Sequence, residues 1–285
     1  MLVAAALGLT IQPPLSWLAH RDAIDVLLAV LVFATGLTID PVELCDVPKA
    51  WPRVAGAVVA GLAVLPVLSF AASHLVAAGP LRDGVETAGL APCEIASVAT
   101  TAIAGGAAAV SAGVLIGSTV ATVALAGPIL TLEASHAHVA PGGIVANLAL
   151  VVALPLIAGL LVRALVPRST VAEPAASTTA VIAVAALVAV IASQVHLTHA
   201  YLAVAAALLV FLVASAVLGR LLGIGSPQAT GRAVLLTTSM RDFAVAAGLA
   251  TTAFGPAAAA PLGLYGVFVL VWGTGAAGVL RQRPA

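Results

Sequence analysis

Three ionisable residues stand where an apolar chain has no evident use for them. Glu94 interrupts the run LAPCEIASVATTAIAGG (90–106), two residues after Pro92 and next to Cys93. Arg241 and Asp242 interrupt LLTTSMRDFAVAAG (235–248), just after the hydroxyls of Thr237, Thr238 and Ser239 and the thioether of Met240. Two carboxylates and a guanidinium can hold a cation, grip an anion or pass a proton. They can also form a structural ion pair that fixes two helices. Neither stretch sets a nucleophile beside a base, and the chain has no phosphate-cradling glycine loop, so neither an enzyme nor an ATP-driven pump is expected.

The elements that must position these groups are membrane helices. Of the 285 residues, 62% are hydrophobic and 8% are charged, with a formal net charge of zero. A soluble domain has about a quarter of its residues charged. The apolar runs have the ~20-residue length of helical spans, not the alternating pattern of a membrane β-barrel. No basic tract points to nucleic acid as a partner. Cys45 and Cys93 lie in different segments and make neither a disulfide framework nor metal-ligand spacing. The opening MLVAAALGLTIQPPLSWL lacks a basic leader region and reads as a first span rather than a cleaved signal.

Loop-forming residues divide the chain into ten apolar segments: about 1–18, 24–40, 52–78, 86–104, 107–132, 142–166, 177–195, 198–222, 229–254 and 257–280. Gly105 and Gly106 make the tight reversal between the fourth and fifth. With the N-terminus inside, eight of the eleven Lys and Arg residues (Lys49, Arg53, Arg163, Arg168, Arg220, Arg232, Arg281 and Arg283) fall at cytoplasmic ends. Arg21 and Arg82 fall outside, and Arg241 within a span. The asymmetry predicts an inner-membrane protein with both termini cytoplasmic. Ten spans divide into five plus five, about 1–138 and 139–285, within one transmembrane domain. A five-span unit re-enters with opposite orientation, the arithmetic of inverted repeats. The fourth and ninth spans are then equivalent, and they are the two that carry mid-depth charge.

An ionised side chain at a helix centre costs about 2.5–3.5 kcal/mol on insertion scales. Glu94 and Arg241 are therefore expected to face the interior and to approach each other directly or through one water. Pro92 and the hydroxyls at 237–239 suit helices that open locally and line a polar cavity. The six histidines (20, 74, 136, 138, 196 and 199) fall in or near outer loops and read as interfacial residues, although the His136–His138 and His196–His199 spacings are compatible with a metal. Ser118 and Thr119 read as packing hydroxyls. Trp51 and Trp272 read as interfacial anchors.

Three stretches resemble the bile acid:sodium symporter family, within the wider bile-acid, arsenite and riboflavin transporter superfamily. FATGLTID (33–40) is similar to the Gly-Leu-Thr end of that family's second helix. PCEIASVATTAIAGGAAAVS (92–111) is similar to its Pro-Gly-Gly-x-x-Ser-Asn stretch and the following turn. TTSMRDFAVAAGLATTAFGPAAAAP (237–261) is similar to its Glu-x-Gly-Met-Gln-Asn stretch. The resemblance implies an all-α fold of ten helices as two inverted five-helix repeats. In it the fourth and ninth helices are broken and cross, and substrate lies between a core and a panel domain.

The family's sodium ligands, carried over, fall on Ser97 and Val98 for its Ser-Asn pair, on Thr237 for its glutamate, and on Met240, Arg241 and Asp242 for its Met-Gln-Asn. Ser111 keeps a serine on the next helix. Thr101 and Thr238, on the same segments, complete the candidate substrate- or ion-binding set with Glu94. Val98 and Thr237 have lost oxygen donors, and Arg241 puts a fixed cation where the family uses a sodium ligand.

The expected function is secondary active transport of a small organic anion, a bile-acid-like or other carboxylate or sulfonate, by alternating access. No cofactor is expected, and the coupling is not classical sodium symport: exchange, downhill flow or protons through Glu94 or Asp242 replace it. Alternatives are a sodium symporter with one retained cation site, an arsenite permease using Cys93, and a non-transporting membrane sensor.

Overall fold

A computed structural model of the chain describes residues 23–39, 47–133, 141–165, 172–193 and 199–282. The expected first span, Cys45, Arg21, Arg168, Arg283 and four of the histidines (20, 136, 138 and 196) lie outside the described residues. Every regular element among the described residues is helical. In chain order they are α1 (Ala23–Thr38), α2 (Val47–Ala63), α3 (Leu65–Ser73), α4 (Pro80–Leu90), α5 (Ala96–Ile103), α6 (Ala108–Glu133), α7 (Pro141–Leu148), α8 (Leu154–Leu165), α9 (Ala172–Ala192), α10 (Ala200–Leu222), α11 (Gln228–Ser239), α12 (Phe243–Phe254) and α13 (Ala260–Gln282). A π-helical turn, Ala149–Ala153, joins α7 to α8, and a 3₁₀ turn, Pro256–Ala259, leads into α13.

Among the described residues, five helical stretches are long and apolar enough to cross a membrane: Ala50–Ser73, Ala108–Leu132, Pro141–Leu165, Ala200–Leu222 and Pro256–Gln282. Shorter apolar helices occupy Ala23–Thr38, Thr178–Ile191 and Phe243–Phe254. The outer surface bears Val59, Val120, Leu202, Val213 and Val271, all more than half exposed, while Thr87, Ser97, Thr101 and Ser111 are fully buried. Apolar residues outside and hydroxyls inside suit a chain solvated by lipid. This is a polytopic membrane protein.

Two groups of helices form the bundle. In one, α1 packs against α8 and α9; in the other, α2 packs on α6, α3 on α4, α10 on α11, and α13 on α5. The α1–α8 contact is close because Gly36 and Gly159 face each other. A Cβ on Gly36 would stand 2.7 Å from Leu156 O and 2.9 Å from Gly159 Cα. The π-turn precedes Pro155, which cannot donate to the carbonyl four residues back, so the ladder loosens there.

Candidate functional site

The segment holding Glu94 is not one helix. α4 ends at Leu90 and α5 starts at Ala96. The break follows from Pro92, which lacks an amide and drives its predecessor out of the helical region; Ala91 is extended, with φ −65° and ψ 153°. The segment holding Arg241 breaks in the same way between α11 and α12, with Met240 and Asp242 both extended.

The two breaks cross and pair as a two-residue antiparallel ribbon, Cys93 opposite Arg241. Glu94 N donates to Met240 O at 2.8 Å and Asp242 N donates to Pro92 O at 2.9 Å. Side chains meet several other freed backbone groups. Cys93 N donates to Ser118 Oγ at 3.0 Å, Thr122 Oγ1 donates to Leu90 O at 3.1 Å, and Arg241 Nη2 donates to Ala91 O. A break in a membrane helix persists only when its carbonyls and amides are satisfied in this way.

The ribbon also decides where the charges point. Successive side chains of an extended chain alternate faces. Cys93 and Arg241, directly opposite, share one face; Glu94 and Asp242 fall on the other. No direct Glu94–Arg241 ion pair is made, and Glu94 Oε2 and Arg241 Nε each lack a hydrogen-bond partner. The sequence points to helices that open here but not to pairing of the opened residues, which turns the two side chains to opposite faces.

Instead of each other, the charges use the ends of the broken helices. Arg241 sits on the carbonyl that terminates α4, where the helix dipole is negative. A Cβ at Gly61 would lie 3.5 Å from its Nη1, and Cys93 and Tyr265 are among its titratable neighbours. Asp242 caps α12, its Oδ1 accepting from Ala244 N and Val245 N at 2.9 Å each. The amides nearest the Glu94 carboxylate belong to Ile95, Ala96 and Phe243, at the starts of α5 and α12. An anion between two helix N-termini is favourably placed.

Glu94 lines a cavity of ≈470 Å³ between the two helix groups. Its walls include Leu31, Thr35 and Thr38 of α1, Val98, Ala99 and Ala102 around α5, Ala180 and Val184 of α9, and Phe243. Among the described residues Glu94 is its one ionisable lining residue; neither Arg241 nor Cys93 borders it. Elsewhere Asn147 Nδ2 of α7 donates to Thr252 Oγ1 of α12 at 2.8 Å and lies 3.5 Å from Asp25 Oδ2 of α1.

The other expected site residues divide into two sets. Thr237 is buried but spends its hydroxyl on Ala233 O at 2.8 Å, within its own helix. Ser97 Oγ lies 2.9 Å from Cys93 Sγ, and the Met240 sulfur accepts from Thr100 Oγ1 at 3.5 Å. Thr101, Ser111 and Thr238 are buried with hydroxyls that have no partner.

Several supporting residues were not legible as such. Ser118 stabilises the crossing rather than merely packing, and Thr122 does so without any sequence signal. Trp272, expected at an interface, lies mid-helix with Nε1 donating to Ser239 Oγ at 2.9 Å. Among the described residues no cluster of three His, Cys, Asp or Glu side chains could hold a metal.

Residues 25–199, more than half of the chain, match the Sodium Bile acid symporter family. A Bacillus subtilis (strain 168) protein named "Uncharacterized sodium-dependent transporter YocS" is 26% identical over 281 residues, covering 94% of this chain and 85% of its own length. The interrupted, crossing helices lie where the motif resemblance sets them. This chain belongs to the sodium bile acid symporter family.

Proposed function

We propose that the protein is a secondary transporter that carries a small amphipathic organic acid across the cytoplasmic membrane by alternating access, without a sodium ion at the helix crossing. One observation carries this reading: the Arg241 guanidinium lies inside the crossing against the Ala91 carbonyl. A second cation a few ångströms away would meet repulsion of about 4 kcal/mol at an effective dielectric of 20. The reading includes ten spans in two inverted repeats, about 1–138 and 139–285, with both termini cytoplasmic. Two breaks that meet one another, one in each half, support that symmetry.

With Arg241 behind the ribbon and Glu94 on the cavity wall, a carboxylate needs a compensating positive charge to enter. A proton on Glu94 supplies it, since two like charges in a water-poor cavity repel strongly. Asp242 is occupied as a helix cap, so Glu94 is the proton-carrying group. The arsenite alternative draws no support, because Cys93 is fully buried and does not border the cavity.

The test is uptake of candidate organic acids into proteoliposomes at fixed membrane potential. Replacing sodium by choline should leave uptake nearly unchanged, and an inward proton gradient should accelerate it. Glu94→Gln should remove the acceleration while leaving exchange. A several-fold loss in choline, restored saturably by sodium, would overturn the reading. That outcome would favour the second one, sodium symport through a retained site. The unpartnered hydroxyls of Thr101 and Ser111 and the name of the Bacillus relative favour it.

A further inference from the structure

Two hollows meet at the end of the bundle that carries Arg220 and Arg232. One, of ≈400 Å³, lies between the end of α10 and the start of α11 and is walled by Arg220, Ser226, Gln228 and Arg232 among others. The other, of ≈730 Å³, is an apolar groove between α10 and α13, with Leu209, Val213, Val217, Phe268 and Val271 in its walls. Arg220 and Leu235 border both, so the polar hollow opens directly into the groove.

The dimensions and charge are those of one lipid molecule. The groove follows a single stripe of α10 from Leu209 to Arg220. At 1.5 Å per residue that is about 16 Å, close to half of a ~30 Å hydrocarbon core. An acyl chain of one leaflet fits that length, and its headgroup then falls at Arg220. Arg220 is exposed on the last turn of α10 and makes no ion pair among the described residues. Ser226 lines the same hollow, and its Oγ is buried with no hydrogen-bond partner. A guanidinium and a spare hydroxyl donor suit a phosphodiester.

We propose that this hollow and groove bind an anionic phospholipid, with its phosphate at Arg220 and Ser226 and one acyl chain along α10. The exposed charge of Arg220 favours a headgroup of net negative charge over a zwitterionic one, whose own ammonium already balances its phosphate. Free phosphate shares the headgroup chemistry but leaves the groove empty.

The experiment is native mass spectrometry of purified protein, delipidated and then given equal amounts of phosphatidylglycerol and phosphatidylcholine. The wild type should retain phosphatidylglycerol about fivefold over phosphatidylcholine, the ratio set by roughly 1 kcal/mol per basic residue at a headgroup. Arg220→Gln should bring that ratio to near parity. Ala216→Trp, which plugs the groove and keeps the charge, should lower retention of both lipids, and excess inorganic phosphate should displace neither. If Arg220→Gln fails to fold by circular dichroism, Ala216→Trp decides alone. Parity in the wild type, an unchanged preference in Arg220→Gln, full retention in Ala216→Trp, or displacement by inorganic phosphate overturns the proposal.

Discussion

Asp242 separates a structural role from a proton-carrying one, and two substitutions distinguish them. In the native protein it is 1% exposed and its Oδ1 accepts from two amides at 2.9 Å. Asp242→Ala leaves both amides buried without an acceptor, and each unsatisfied buried donor costs about 1–3 kcal/mol. Loss of the carboxylate from the α12 N-terminus adds about 0.3–1 kcal/mol. The sum is about 2–5 kcal/mol, allowing for partial relaxation. Asp242→Asn keeps an oxygen in place and loses only the charge, for about 0.5–1 kcal/mol. At roughly 2–4 °C per kcal/mol, alanine should lower the apparent melting temperature in detergent by about 5–15 °C and asparagine by about 1–4 °C. Proton-driven uptake should survive in Asp242→Asn. If asparagine falls as far as alanine, or removes the proton dependence, Asp242 is not primarily a cap. An alanine variant within a degree or two of wild type would equally refute the argument.

Two further outcomes can be measured in the same way. Gly36→Ala should destabilise by about 1–2 kcal/mol, the overpacking cost less the gain in helix propensity; Gly56→Ala, whose Cβ would meet nothing within 4 Å, should be neutral or stabilising. Equal melting temperatures for the two variants would mean that α1 and α8 are not in close contact. A double-mutant cycle of Glu94→Gln and Arg241→Gln should show a coupling below about 1 kcal/mol, because the side chains take opposite faces of the ribbon. A coupling of about 3–5 kcal/mol, as for a buried ion pair, would place them together.

Much of this arrangement was readable from residue types. Apolar length gave the helices, Pro92 gave a break, and the three mid-depth charges marked the segments that cross. The conformation at the crossing was not readable. Opposite charges suggest that Glu94 meets Arg241, whereas the pairing of Cys93 with Arg241 turns them apart, and no propensity in PCE or MRD announces a ribbon. Helix-end compensation was hidden for the same reason, since it exists only once the helices are broken. Trp272 looked like an interfacial anchor because its tertiary partner, Ser239, lies 33 residues earlier in sequence.

The crossing also constrains how the chain is made. Ala91 O waits for Arg241, 150 residues later in the chain. Until the second break has been synthesised and inserted, the first has open carbonyls and amides at a depth where lipid offers no substitute. The N-terminal half is therefore left incomplete by construction, and has to be sheltered by water, by the insertion machinery or by its own collapse into continuous helix. The late-made segment around Met240 completes it. The contact between Ala91 and Arg241 can thus close only late in translation, once the second break has been made.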